Sequence, residues 1–248
     1  MRARNALISV LLALASKGAT AVELPNSLLN RIAKGQCDQA VEQLNGMLEK
    51  PTAATYLIAG SMYERGACLK PNTDRARDFY AKAWGLGDTA RAPAYLAALS
   101  ASAAGGADVA QTLWWYARLP DGGRAPMPEI CRVAKTEDVE AFVRGIESWS
   151  ADRRERCRLA VGLEAMASAI KPFYPFASLL AGGQGQFDVR VDFARGTVEV
   201  MERSGFRSTP LKDLLEKLYR DAVGRLGPPK VQPTAEWVVV TPWEFKIQ

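Results

Sequence analysis

The chain has 248 residues, of which 48% are hydrophobic, 24% charged and 8% aromatic, with 32 Lys and Arg against 27 Asp and Glu. That composition excludes a disordered or collagen-like chain and supplies enough apolar material for sizeable cores. Histidine is absent altogether, which removes Ser-His-Asp and Cys-His catalysis and imidazole-ligated zinc.

At the N-terminus, Arg2 and Arg4 precede an apolar run from Ala6 to Ala15, and Lys17-Gly18 leads into the small residues Ala19, Thr20 and Ala21. This is the layout of a cleavable secretory signal, residues 1–21, on a chain destined for the periplasm. The run is well short of the roughly 20 apolar residues that a membrane-spanning helix needs, so no transmembrane span is expected after cleavage. Removing Arg2, Arg4 and Lys17 leaves 29 basic against 27 acidic residues, a net charge of +2 that gives no basis for binding nucleic acid.

An oxidising compartment makes Cys37, Cys68, Cys131 and Cys157 two disulfides, for which the sequence alone allows three pairings. Cys37 sits just before a helical pattern running to about Glu49, and a second pattern runs from Thr52 to Arg65, just before Cys68. An antiparallel helix pair brings those ends together and favours Cys37 to Cys68, which leaves Cys131 to Cys157 by elimination. A four-thiolate metal site lacks any C-x-x-C pair, and neither a metal nor a cofactor is expected.

Residues 22–171 are expected to be all helical. Asp38-Gln-Ala40 returns 36 residues on as Asp74-Arg-Ala76, Phe79-Tyr80-Ala81 returns as Trp115-Tyr116-Ala117, and Asp108-Val-Ala110 follows Asp74 by 34. A period of this length signals stacked helix pairs. Asp74 is an N-cap candidate, and Gly66, Gly87 and Gly105-Gly106 stand where helices should stop. The run Ala54-Thr-Tyr-Leu-Ile-Ala-Gly-Ser-Met-Tyr-Glu-Arg-Gly66, then Asp74-Arg-Ala-Arg-Asp-Phe-Tyr-Ala-Lys-Ala83, Gly87 and Ala90, resembles a Sel-like repeat, a relative of the tetratricopeptide repeat. Copies on either side are degenerate. The resemblance implies a solenoid scaffold whose concave face holds other proteins.

From Thr136-Glu-Asp a capped helix places Val139, Phe142, Val143 and Ile146 on one face, and Arg153 to Ile170 reads as a long helix that caps the solenoid. Its basic cluster Arg153-Arg154-Glu155-Arg156, with Arg158, reads as a solvated helix surface. Trp114-Trp115-Tyr116, at helical spacing, reads as core packing.

Residues 172–248 are expected to form a separate small α+β domain. After the glycine bend Gly182-Gly183-Gln184-Gly185, Phe187, Val189, Val191 and Phe193 alternate with Asp188, Arg190 and Asp192, as in a half-buried strand. Gly196 turns the chain into a strand over Thr197 to Arg203, and a helix carries Leu211, Leu214, Leu215, Leu218, Ala222 and Leu226 from about Pro210 to Gly227. A last strand puts Trp237, Val239, Trp243, Phe245 and Ile247 on the core face. The β-β-α-β order, with Tyr174-Pro175, Gly185, Val189 to Phe193, Gly196, Ser204-Gly205, the leucine helix and Pro242 to Phe245, resembles the C-terminal domain of the TonB family and, more distantly, of TolA. That resemblance implies recognition by strand addition at a sheet edge. Pro242 cannot donate to a ladder, which places the last strand at the edge, with Val238, Val240 and Glu244 turned away from the helix as the binding set.

The fold expected is thus multidomain, an all-α helical-repeat solenoid followed by a β-β-α-β module. The function expected is a non-enzymatic adaptor for periplasmic or outer-membrane proteins of a cell-envelope assembly. Two other readings stand beside it: a TonB-like energy transducer that retains its N-terminus, and a peptidoglycan or β-lactam hydrolase using the S-x-x-K pair Ser168 and Lys171. The transducer reading lacks a membrane-helix histidine and a proline-rich spacer, and the hydrolase reading lacks downstream S-D-N and K-T-G.

Overall fold

A computed structural model describes residues 26–120, 127–133, 136–170, 185–205, 209–233 and 237–245. Residues 1–21, read as a signal, and residues 182–184 of the glycine bend lie outside the described residues, while Gly185 opens the first strand. The described chain is mostly helical and ends in a three-stranded antiparallel sheet. Its helices are α1 (Asn26–Ala33), α2 (Cys37–Leu48), α3 (Ala53–Arg65), α4 (Thr73–Gly85), α5 (Ala92–Ala101), α6 (Val109–Tyr116), α7 (Val139–Glu147) and α8 (Ala151–Ile170), with a 3-10 turn at Glu129–Cys131. Strands β1 (Gly185–Asp192) and β2 (Thr197–Gly205), helix α9 (Thr209–Leu226) and strand β3 (Val238–Phe245) follow in the expected order.

Local chemistry sets the helix ends. Thr52 accepts from the Thr55 backbone N–H in a capping box that starts α3, and Gly66, at φ 68°, ends it in the left-handed conformation that glycine adopts without a Cβ penalty. Helix α4 is capped by Asn72, whose Oδ1 accepts from the Arg75 N–H at 2.9 Å. This corrects the placement of the cap at Asp74, which sits in the first turn, where its charge opposes the positive end of the helix dipole. Asp108 caps α6 in the same way, 36 residues after Asn72. Close packing of α3 on α4 depends on Gly60, since a Cβ there would stand 2.4 Å from a Tyr80 ring carbon. These helix pairs are compatible with the periodicity in the sequence.

The apolar interior falls into two clusters. A small one unites Leu28, Ala40, Leu44, Ile58, Ala59 and Met62 of α1 to α3. The large one runs from Leu57 and Tyr80 through α5, α6 and α8 into Val189, Val191, Leu215 and Trp237, so the helices and the sheet share one continuous core. Helix α8 lies at its centre. From Leu159 to Ala169 nearly every side chain is buried, and α8 packs on α5, α6 and α9. It is therefore an internal helix, where a terminal cap was expected. Gly162 allows the approach, because a Cβ would meet Ala101 Cβ at 2.5 Å and a Leu226 methyl at 2.8 Å.

The sheet has strand order β2-β1-β3 with both pairings antiparallel. Phe187, Val189, Val191, Val198 and Val200 are buried on its inner face, against which α9 packs. Asp192 lies on the outer face opposite Val238, as the alternation implies, yet it is only 4% exposed. Its carboxylate accepts from the N–H groups of Ala194 and Arg195 at 2.9 and 3.1 Å and closes the β1–β2 turn, a role that short acidic side chains perform by local hydrogen bonding.

Candidate functional site

Among the described residues strand β3 pairs with β1 alone, Val238 facing Asp192, Val240 facing Arg190, Pro242 facing Asp188 and Glu244 facing Gln186. The Phe193 N–H donates to the Trp237 carbonyl at 3.1 Å, which fixes the alternation of the antiparallel ladder. Odd-numbered residues of β3 bond to β1, and the backbone N–H and C=O groups of the even-numbered ones point to the open side. Val238, Val240 and Glu244 supply those outward donors. Pro242 falls in the same set, at a position where its missing N–H costs the β1 ladder nothing.

The side chains follow the same alternation. Val240 is 47% exposed on the outer face, where Met201 of β2 is also exposed; Val238 is half-buried and Pro242 exposed. The Glu244 side chain lies outside the described set, as do the Phe245 side chain and Ile247. On the inner face Trp237 is buried and Val239 and Trp243 are half-buried. Thr241, which sequence reading did not place in the core, is 2% exposed there. Its hydroxyl donates to the buried Glu164 carboxylate of α8, and the Trp243 Nε1–H donates to the Tyr219 hydroxyl of α9 at 2.8 Å. Burial first, and the nearby Glu164 charge second, push the Tyr219 phenol above its ordinary pKa, so it stays a neutral hydrogen-bonding group. These bonds anchor β3 from within, and among the described residues no strand pairs with its other side.

The basic cluster on α8 is not uniformly solvated. Arg158 is 1% exposed and Glu155 5% exposed. The guanidinium donates twice to Glu155, at 2.9 and 2.6 Å, and its remaining fork reaches the carbonyls of Ala101 at 2.7 Å and Leu226 at 2.9 Å. Those carbonyls end α5 and α9, where a helix leaves acceptors unsatisfied and favours a cation. Burial works to raise the Glu155 pKa, yet the Arg158 hydrogen bonds, the Lys230 backbone N–H and both positive charges outweigh it and hold the carboxyl below its ordinary value. On the α3 side of the junction, Arg225 of α9 pairs with Glu64, which also accepts from the Tyr80 hydroxyl at 2.6 Å. Burial and the Glu64 charge raise the Tyr80 pKa well above its usual value. One group of polar contacts thus ties α9 and the sheet to the helices.

Both disulfides take the expected pairing, Cys37 with Cys68 as helix geometry favours and Cys131 with Cys157 as elimination leaves, at Cα separations of 4.8 and 5.4 Å. Two disulfides are compatible with an extracellular or periplasmic location. Among the described residues no helix is long and apolar enough to cross a membrane, and no group of three or more Cys, Asp or Glu is placed to hold a metal ion. Ser168 is 8% exposed, and its Oγ is buried with no hydrogen-bond partner among the described residues; Lys171 lies outside them. A serine nucleophile needs open space before its Oγ and a base within hydrogen-bond reach, and the geometry of Ser168 offers no such space. In the Trp114-Trp115-Tyr116 group, Tyr116 is fully buried, Trp115 meets Trp84 edge-on and Trp114 meets Phe142 edge-on.

No protein-family model, curated protein or solved structure matches this chain. The class defined by the described residues is a mostly helical chain, braced by two disulfides, that ends in a small antiparallel sheet with an open edge.

Proposed function

We propose that the chain is an exported adaptor of a cell-envelope assembly that takes an extended partner segment as a fourth strand on β3, with its helix pairs as a second contact surface. The observation that carries this reading is the edge itself, where outward backbone donors at Val238, Val240 and Glu244 stand beside the exposed Val240 side chain. The partner is an extended stretch with an apolar residue at alternate positions, since that spacing sets one side chain against Val240 on the outer face. The loss of a donor at Pro242 confines the best pairing to the residues before it. Resemblance to the TonB and TolA C-terminal domains supports the same mode, and the disulfides suit the compartment in which it would operate.

The test is photo-crosslinking in cells from positions 238 and 240, with a probe at exposed Lys82 on α4 for comparison. Adducts with one envelope protein from the strand positions are expected, and Val240→Pro should abolish the adduct at 238 by removing an outward N–H without touching the β1 ladder. Adducts confined to Lys82, or a strand adduct indifferent to Val240→Pro, would refute strand addition.

A further inference from the structure

The two disulfides occupy opposite surroundings. Cys131 and Cys157 are both fully buried, between the 3-10 turn and α8. Cys37 and Cys68 are half-exposed and line an open depression of about 490 Å³ with Asp38, Val41, Glu42, Asn45 and Leu69. An incoming thiol needs a line of approach to a sulfur, and only this bond offers one.

Its two sulfurs also differ. Cys37 is the first residue of the 12-residue helix α2, and Gln36 before it makes no side-chain cap. The Cys37 N–H donates to the Gly35 carbonyl and the Ala40 N–H to the Gln36 carbonyl, both at 2.9 Å, so it is the positive end of the α2 dipole that favours a thiolate at Cys37 and makes that sulfur the better leaving group. Asp38 and Glu42, the charged groups at the rim, act against a thiolate and also repel an anionic reductant such as glutathione, so the site favours an uncharged dithiol. Cys68 is held at φ 62°, a left-handed conformation uncommon for a residue with a Cβ. What the bond fastens is separable: α1 and α2 bury Leu28, Ala40 and Leu44 in the small cluster, apart from the main core.

We infer that Cys37–Cys68 is a reducible clasp, opened by a dithiol reductant to free α1 and α2 from α3. A thiolate of the dithiol attacks Sγ of Cys68, a mixed disulfide forms, and the Cys37–Cys68 bond breaks with Cys37 leaving as thiolate. The second thiol of the donor, as thiolate, attacks the donor's own sulfur in the mixed disulfide and displaces Cys68. The donor ends as a disulfide, and the chain has gained two electrons and the two protons the donor gave up.

The test is titration of the native full chain with dithiothreitol at neutral pH, alkylation of new thiols, peptide mapping and hydrogen exchange on the same samples. Cys37 and Cys68 should be alkylated at about tenfold less reductant than Cys131 and Cys157 require, with faster exchange over residues 26–48 and unchanged exchange over 151–170. Opening of both bonds together, or of Cys131–Cys157 first, would overturn the order of reduction. Selective opening of Cys37–Cys68 with unchanged exchange over 26–48 would overturn the clasp.

Discussion

The two ends of the described chain are fastened by different physics. At the N-terminal end, α1 and α2 hold to α3 through a small apolar cluster and a half-exposed disulfide. At the C-terminal end, α9 and the sheet share the main core and are tied to α5 and α8 through a buried guanidinium. The first attachment answers to solvent and redox conditions. The second answers to protonation and packing, and its failure reaches both α5 and α9, whose terminal carbonyls Arg158 binds.

The strongest way to break that contrast is Arg158→Ala. It leaves Glu155 as a buried charge without its partner and strips two helix ends of their donor, at a cost of about 3 to 5 kcal/mol. Chemical denaturation should show the loss in the main transition, and Arg158→Met with Glu155→Leu should recover much of it. A Cys37→Ser chain, by contrast, should keep that main transition. Next in size is Gly162→Val, which forces α8 away from Ala101 and Leu226 and should cost about 1 to 3 kcal/mol by overpacking, read as a lower melting temperature without a change in disulfide content. The smallest effect concerns acid. The Glu155 pKa is depressed in the folded chain, so its contribution is present above the ordinary glutamate value of about 4.3 and is lost as pH falls below it toward the folded value. Denaturant midpoints measured down through this range should fall more steeply for the native chain than for Glu155→Gln.

The succession of strands along the chain, the helix between β2 and β3, and the Cys37–Cys68 pairing were legible because each rests on local pattern. Phe187, Val189 and Val191 alternate with polar residues, and Cys37 and Cys68 bracket a helix pair. Arg158 was not legible in this way. Its neighbours Arg153, Arg154 and Arg156 look like a solvated stripe, and the carbonyls that bury it belong to Ala101 and Leu226, 57 and 68 residues away. Two signals pointed toward it: Glu155 three residues before it on the same helix face, and the almost unbroken apolar run after it, which an amphipathic surface helix would not carry. The edge position of β3 was legible through Pro242, because a missing donor restricts where a strand can sit. Thr241 falls on the core face by the same alternation as Val239 and Trp243, and it was missed because a hydroxyl residue gives no apolar signal and its partner, Glu164 of α8, is distant in the chain.

The reach of Arg158 also bears on the order in which the chain matures. Synthesis runs from the N-terminus, and domains consolidate in that order where they can. When α8 has been made, Glu155 and Ala101 already exist, while Leu226 and Lys230 are still to come. The centre of the helical half therefore keeps an unfilled hydrogen-bonding valence until the final helix arrives, and a nascent chain stalled after β2 would hold its helices in a loosened, chaperone-accessible form.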